Sequence, residues 1–148
     1  MVGMGDLVEK IPPFHLAFPV DDLDLARNWY VEILGCEVGR ESDKSCVLNL
    51  FGHQIVAHKV EKMPLVEKNG VDNKMVPCNH FGCVLDWEHW HNFADELKKR
   101  GIDFIIEPHI RYKGQSGEQA TMFFQDPCGN NLEFKSFQDD EGIFRPFN

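Results

Sequence analysis

The chain has 148 residues, 43% apolar and 26% charged, enough for one domain with a sizeable core or two small modules that share one. Its formal charge of −9 disfavours nonspecific binding to nucleic acid or to an anionic membrane. Five irregularly spaced cysteines without a CxxC, Cys36, Cys46, Cys78, Cys83 and Cys128, argue against a disulfide framework and against a cysteine-rich zinc site. No apolar run reaches the roughly 20 residues that span a membrane, and the opening MVGMGDLVEKIPP lacks a signal-peptide core. The expectation is a cytoplasmic protein.

The first element is a short apolar strand, PPFHLAFPV, interrupted by His15. Strand alternation puts Phe14, Leu16 and Phe18 on one face and His15, Ala17 and Pro19 on the other. An acidic turn follows, with Asp21 as the expected helix N-cap. Leu25, Trp29, Ile33 and Leu34 then recur at helical spacing, and Gly35 is the stop. Three strands come next: CEVGRE, SCVLNLFG and HQIVAHKV. A polar connector with Pro64, Gly70 and Pro77 occupies about 61–78.

The pattern then repeats. Shifted by 65, His15 falls on His80 and Asp21 on Asp86. The strand NHFGCVLDW leads into a helix carrying Trp90, Phe93, Ala94 and Leu97, which stops at Gly101. The strands IDFIIEP, GEQATMFFQDP and NNLEFKSF follow, the last two joined by the turn DPCGNN. The tail 138–148 either packs through Phe144 and Phe147 or frays. The expected fold is therefore α+β: two tandem βαβββ modules, about 12–60 and 79–137, forming one domain with a cupped mixed sheet and helices on its outer face.

With the bulky residues turned to the helices, both histidines look away from them, beside small neighbours. In the last strand Leu132 and Phe134 face the helix, which turns Glu133 to the histidine side. Two imidazoles and a carboxylate on an open sheet face suit a divalent cation such as Fe(II), Mn(II), Ni(II) or Zn(II), with positions left for substrate. The alternative, three unrelated buried polar groups, leaves a carboxylate without a partner. Gln54 and His58 share the inward face of HQIVAHKV if Ile55 packs on the helix; either is a ligand, a substrate contact or ordinary strand polarity. Arg111 and Tyr112 stand before the flexible KGQSGEQ, at the mouth of such a site or on the surface. His89, His91 and His109 read as solvated.

These residues resemble the vicinal oxygen chelate superfamily, which includes glyoxalase I, extradiol dioxygenases, fosfomycin-resistance enzymes and bleomycin-resistance proteins. The resemblance covers about 14–137, and D-P-x-G-N-x-x-E, here Asp126 to Glu133, is its most telling motif. It implies paired modules closing around a cup, with His15, His80 and Glu133 at the usual ligand positions and a small substrate chelating the metal through vicinal oxygens. A three-ligand set implies extradiol-dioxygenase chemistry on Fe(II), with His58 and Tyr112 as acid–base candidates and Arg111 as a substrate contact. Gln54 as a fourth ligand implies instead a glyoxalase I-like lyase or isomerase. A small-molecule binding protein without turnover is the third possibility. The first strand of each module is an edge that can pair with another chain, so a homodimer is expected.

Overall fold

A computed structural model describes residues 11–71 and 74–146. The chain divides into two compact units, Met1–Glu61 and Lys62–Asn148. It is an α+β fold, and both units use the same βαβββ frame.

Unit one holds β1 (His15–Val20), α1 (Leu23–Glu32), β2 (Glu37–Glu41), β3 (Ser45–Leu50) and β4 (His53–Lys59). The strand order is β1-β4-β3-β2, with β1 parallel to β4 and the other pairs antiparallel. Strands β3 and β4 join through Phe51 and Gly52, both at positive φ (50° and 92°), the tight hairpin turn that matches strand twist. Asn49 fixes that turn by accepting the Gly52 N–H at 2.7 Å.

The cap of α1 is Asp22, one residue later than the sequence pattern suggests. Its carboxylate accepts the Leu25 N–H at 3.0 Å, three residues on, as an N-cap does. The buried face is also shifted by one residue. Ala26, Tyr30 and Leu34 are buried while Leu25 is 49% exposed. The sequence pattern missed this phase because Ala26 carries little hydrophobic weight, yet its small side chain lets the helix approach the sheet. Phe18, Leu48, Ile55 and Ala57 are buried in this core, and the Phe18 and Tyr30 rings lie 5.4 Å apart. Burying Phe18, Leu48 or Ile55 contributes about 1.5–3 kcal/mol each relative to exposure.

Unit two opens with a hairpin in the stretch expected as a plain connector: β5 (Lys68–Val71) and β6 (Lys74–Pro77). Its polar composition hides it, since only alternate residues need be apolar. Val76 is the residue that pays off, packing with Ile106 and Phe123. The Lys74 Nζ donates to the Ile105 carbonyl at 3.1 Å.

Next come α2 (Trp87–Lys99), β7 (Phe104–Arg111), β8 (Gln119–Gln125) and β9 (Asn131–Phe137), the three strands forming an antiparallel sheet. Asp86 caps α2, accepting the His89 N–H at 2.8 Å, and Lys98 and Lys99 sit where the helix dipole favours cations. Trp90, Ala94 and Leu97 are buried, the Trp90 indole donating to the Phe134 carbonyl at 2.8 Å. Met122, Phe124, Leu132 and Phe134 complete this core.

The strand expected over 79–85 is not a regular one. Phe81 and Val84 form isolated parallel bridges with Leu132 and Lys135. The ladder is nonetheless real: Glu133 N–H donates to the Phe81 carbonyl at 2.9 Å and Lys135 N–H to the Cys83 carbonyl at 3.0 Å. Gly82 permits this approach, because a Cβ there would lie 1.7 Å from the Glu133 carbonyl oxygen.

The turn between β8 and β9 is organised by buried Asp126, whose carboxylate accepts the N–H groups of Cys128 and Asn130 and the Asn130 amide at 2.8–2.9 Å. Gly129 takes φ 89°. In the tail, Asp140–Ile143 forms one 3-10 turn; Phe144 is exposed, and Phe147 lies outside the described residues. No helix among the described residues is long and apolar enough to cross a membrane.

Candidate functional site

In unit one the face opposite α1 is ordered in rungs. The first runs across all four strands as Glu37, Asn49, Gln54 and His15. The second holds Val47, Val56 and Ala17, and the third Ser45, His58 and Pro19. His15 Nδ1 is 2.7 Å from Gln54 Oε1. An amide oxygen only accepts, so Nδ1 carries the proton and the lone pair is on Nε2. His58 is four residues from Gln54 along β4, about 13 Å at strand rise, so it does not share the His15 rung. His53 accepts the Phe14 N–H through Nδ1 at 3.0 Å.

In unit two His80 and Glu133 come together. The His80 Nδ1–H donates to the Pro77 carbonyl at 3.0 Å, which leaves Nε2 with the lone pair, 3.7 Å from Glu133 Oε2. A ring nitrogen fixed on a backbone carbonyl is the usual outer support of a metal-binding histidine. Two donor atoms about 2.1 Å from one cation stand about 3.0–3.4 Å apart, so a small closure of this gap suffices to bracket one. The His80 ring also packs edge-on against Phe123 at 5.0 Å, the residue that the β5–β6 hairpin covers through Val76. Lys135 Nζ is 3.9 Å from Glu133 Oε1. Sequence reasoning missed the Pro77 carbonyl, since a backbone acceptor has no residue signature. Gly82 was legible only as a small neighbour.

An imidazole and a carboxylate fit a borderline divalent cation. Among the described residues no three or more His, Cys, Asp or Glu groups gather as a metal cluster. Unit one offers His15 with Gln54, and unit two offers His80 with Glu133. Burial pushes the Cys83 thiol up to about 11, so the metal-free side chain is protonated at neutral pH.

The two frames can be compared rung by rung. In unit one Leu16 pairs with Ile55; in unit two Phe81 pairs with Leu132. With His15 laid on His80, Gln54 corresponds to Asn131, Val56 to Glu133 and His58 to Lys135. The place of the Glu133 carboxylate is therefore filled in unit one by an apolar side chain, and Gln54 stands one pleat away.

Arg111 ends β7 opposite Gln119. Its Nη2 donates to the Tyr112 hydroxyl at 3.2 Å, and its guanidinium carbon lies 5.1 Å from the centre of the Tyr112 ring. Tyr112 takes φ 55°, uncommon for a bulky residue.

The superfamily described as Glyoxalase/Bleomycin resistance protein/Dioxygenase matches residues 13–134. A solved glyoxalase/bleomycin resistance protein/dioxygenase from Alicyclobacillus acidocaldarius is 34% identical, covering 89% of this chain and 96% of that one, with a TM-score of 0.74. The fosfomycin resistance protein FosX of Listeria monocytogenes, 15% identical, shares the fold at a TM-score of 0.64 over 92% of this chain and 98% of its own. Virulence protein STM3117 of Salmonella typhimurium is 24% identical over 123 residues, 83% of this chain and 82% of that protein.

Proposed function

Because the chain belongs to the glyoxalase/bleomycin resistance protein/dioxygenase superfamily, we propose that it is a metal-dependent enzyme of dioxygenase type. His15, His80 and Glu133 together hold one divalent cation, Fe(II) in preference to Mn(II), Ni(II) or Zn(II). The substrate is a small molecule with vicinal oxygens. The observation that carries this reading is the His80–Glu133 pair, with Nδ1 tied to Pro77 and Nε2 facing the carboxylate. When bound, the cation supplies Lewis-acid polarisation of the substrate oxygens.

The chain's own residues divide the work. The Pro77 carbonyl and the Gln54 amide oxygen each fix one histidine's tautomer and leave Nε2 as donor atom. Glu133 adds the negative charge. Phe123, buried under the hairpin, excludes water from one side of His80. His58 lies too far along β4 to touch the cation beside His15 and is assigned to the distal part of the substrate, as is Tyr112. Among the described residues no strand pairs with the edge of β1 opposite β4, and an open edge of this kind supports a homodimer, since it is a liability if left uncovered.

The second reading is a glyoxalase I-like lyase or isomerase with Gln54 as fourth ligand, favoured by the position of Gln54 beside His15. Two facts weigh against it: the Gln54 oxygen is engaged by the His15 ring, and Val56 stands where a symmetric carboxylate would. Oxygen uptake with 4-methylcatechol after anaerobic Fe(II) loading is the test. Ring-opening turnover is expected. Oxygen-independent turnover of a thiohemiacetal with Ni(II) or Zn(II) would transfer the assignment to the second reading. Saturable catechol binding without turnover would make the chain a binding protein.

A further inference from the structure

Among the described residues the β5–β6 hairpin has no counterpart in unit one, and its docking leads by direct contacts to His80. The docking place is a bulge in β7. Phe104 pairs with Phe124 and Ile106 with Phe123, so Ile105 is an extra residue on β7, left out of the ladder. Its carbonyl is taken by Lys74 of β6, whose Nζ donates at 3.1 Å. A second register shift lies between Ile106 and His109. Ile106, at the boundary of the two irregularities, packs with Val76 and Phe123, and all three are buried. Bulges re-aim side chains and collect beside functional sites.

From this dock two contacts run to His80. Phe123 meets the imidazole edge-on, with ring centres 5.0 Å apart. Pro77, next to Val76 and also buried, accepts the His80 Nδ1–H at 3.0 Å. Pro77 belongs to the hairpin ladder: it pairs with Lys68, and the Cys78 N–H donates to the Glu67 carbonyl at 2.8 Å. The Pro77 carbonyl is thus aimed by the same short strand that Lys74 and Val76 fasten. A competing bond stands on the other side of the ring, where Glu133 Oε2 is 3.7 Å from Nε2. With the Pro77 carbonyl withdrawn, Nε2–H would donate to that carboxylate, and both donor groups would be taken up by each other. In unit one the acceptor for His15 is instead Gln54, a side chain of the paired strand β4.

We propose that Lys74 and Val76 are positioning residues for the candidate metal centre. By docking the hairpin on the β7 bulge they hold the Pro77 carbonyl on His80 Nδ1 and keep Nε2 as the free donor atom. Which imidazole nitrogen carries the proton is decided by the bond that the other one makes. The effect on metal binding rests on the function proposed above; the effect on the His80 ring rests on the hairpin alone. Both residues act through Pro77 and Phe123.

The test reads the imidazole nitrogens of the metal-free protein by nitrogen NMR at pH about 9, where an ordinary imidazole is neutral. In the wild type His80 and His15 should both be Nδ1–H. Lys74→Met, which keeps an apolar stem, and Val76→Ala should each lower the Nδ1–H to Nε2–H ratio of His80 at least about threefold and leave His15 unchanged. Lys74→Arg should restore the ratio, since a guanidinium also donates to the Ile105 carbonyl. Calorimetric titration with Zn(II) should show about tenfold weaker binding by the two loosened variants, the lower end of an outer-shell loss. An unchanged His80 ratio in either variant, no restoration by Lys74→Arg, a wild-type His80 protonated on Nε2, or an equal change at His15 would overturn the inference. A shifted His80 ratio with no Zn(II) binding by the wild type, or with unchanged Zn(II) affinity, would support the role of the hairpin and sink the metal reading instead.

Discussion

Each module carries a histidine at the same place on its first strand, His15 and His80, but the neighbouring strand presents Val56 in one and Glu133 in the other. The supporting groups differ as well. His15 is tied to a side chain, Gln54, and His80 to a main-chain carbonyl at Pro77. The two frames match rung for rung, but one carries an imidazole–carboxylate pair and the other an imidazole beside an amide. Module two therefore anchors the cation in our account, and module one completes its coordination while leaving positions open for substrate.

The largest expected effect comes from the closest backbone approach. Ala17 and Gly82 occupy the same rung in the two modules, Ala17 opposite Val56 and Gly82 beside Glu133. Gly82→Ala forces a Cβ against the Glu133 carbonyl, so it should cost about 3 kcal/mol or more in denaturant unfolding. Ala17→Gly, the mirrored change, should cost only about 0.5–1 kcal/mol. Similar costs for both would show that the modules do not differ in this way.

Making the modules alike is the next probe. Val56→Glu gives module one a carboxylate on the corresponding rung. It should tighten Zn(II) binding and, by filling an open position, lower oxygen uptake more than about tenfold, a barrier change of about 1.4 kcal/mol. Unchanged uptake and unchanged Zn(II) affinity would mean that this rung does not face the cation.

A smaller effect is expected at Gln54, which positions His15. Gln54→Ala should weaken metal binding by about tenfold, the lower end of what outer-shell losses cost, and Gln54→Glu should restore it by keeping an acceptor for the His15 Nδ1–H. A loss as large as that of His15→Ala, with no rescue, would make Gln54 a ligand.

Much of the frame was legible in the sequence because it rests on periodicity. Alternation around His15 and His80 placed Phe18 and Leu85 in the core correctly, though Phe14, expected on the same face, is exposed, and Trp90, Ala94 and Leu97 declared the buried face of α2. What escaped had other causes. The phase of α1 was hidden by Ala26, which packs closely but weighs little. The β5–β6 hairpin was hidden by a polar stretch in which, among the described residues, only Val76 and Pro77 are buried. The irregular strand at 79–85 depends on a backbone approach at Gly82 that no periodicity reports. For the candidate site, residue types and faces could be read, but the Pro77 carbonyl that fixes His80 could not, because it is a property of three-dimensional neighbours.

The central claim is one divalent cation per chain, held by His15, His80 and Glu133. It is tested most directly by metal analysis of anaerobically Fe(II)-loaded protein, with circular dichroism to verify folding. The account predicts about one iron per chain in the wild type and about none in folded His15→Ala, His80→Ala or Glu133→Ala, since a cation site depends on its full donor set. Full iron occupancy in any folded variant would contradict it.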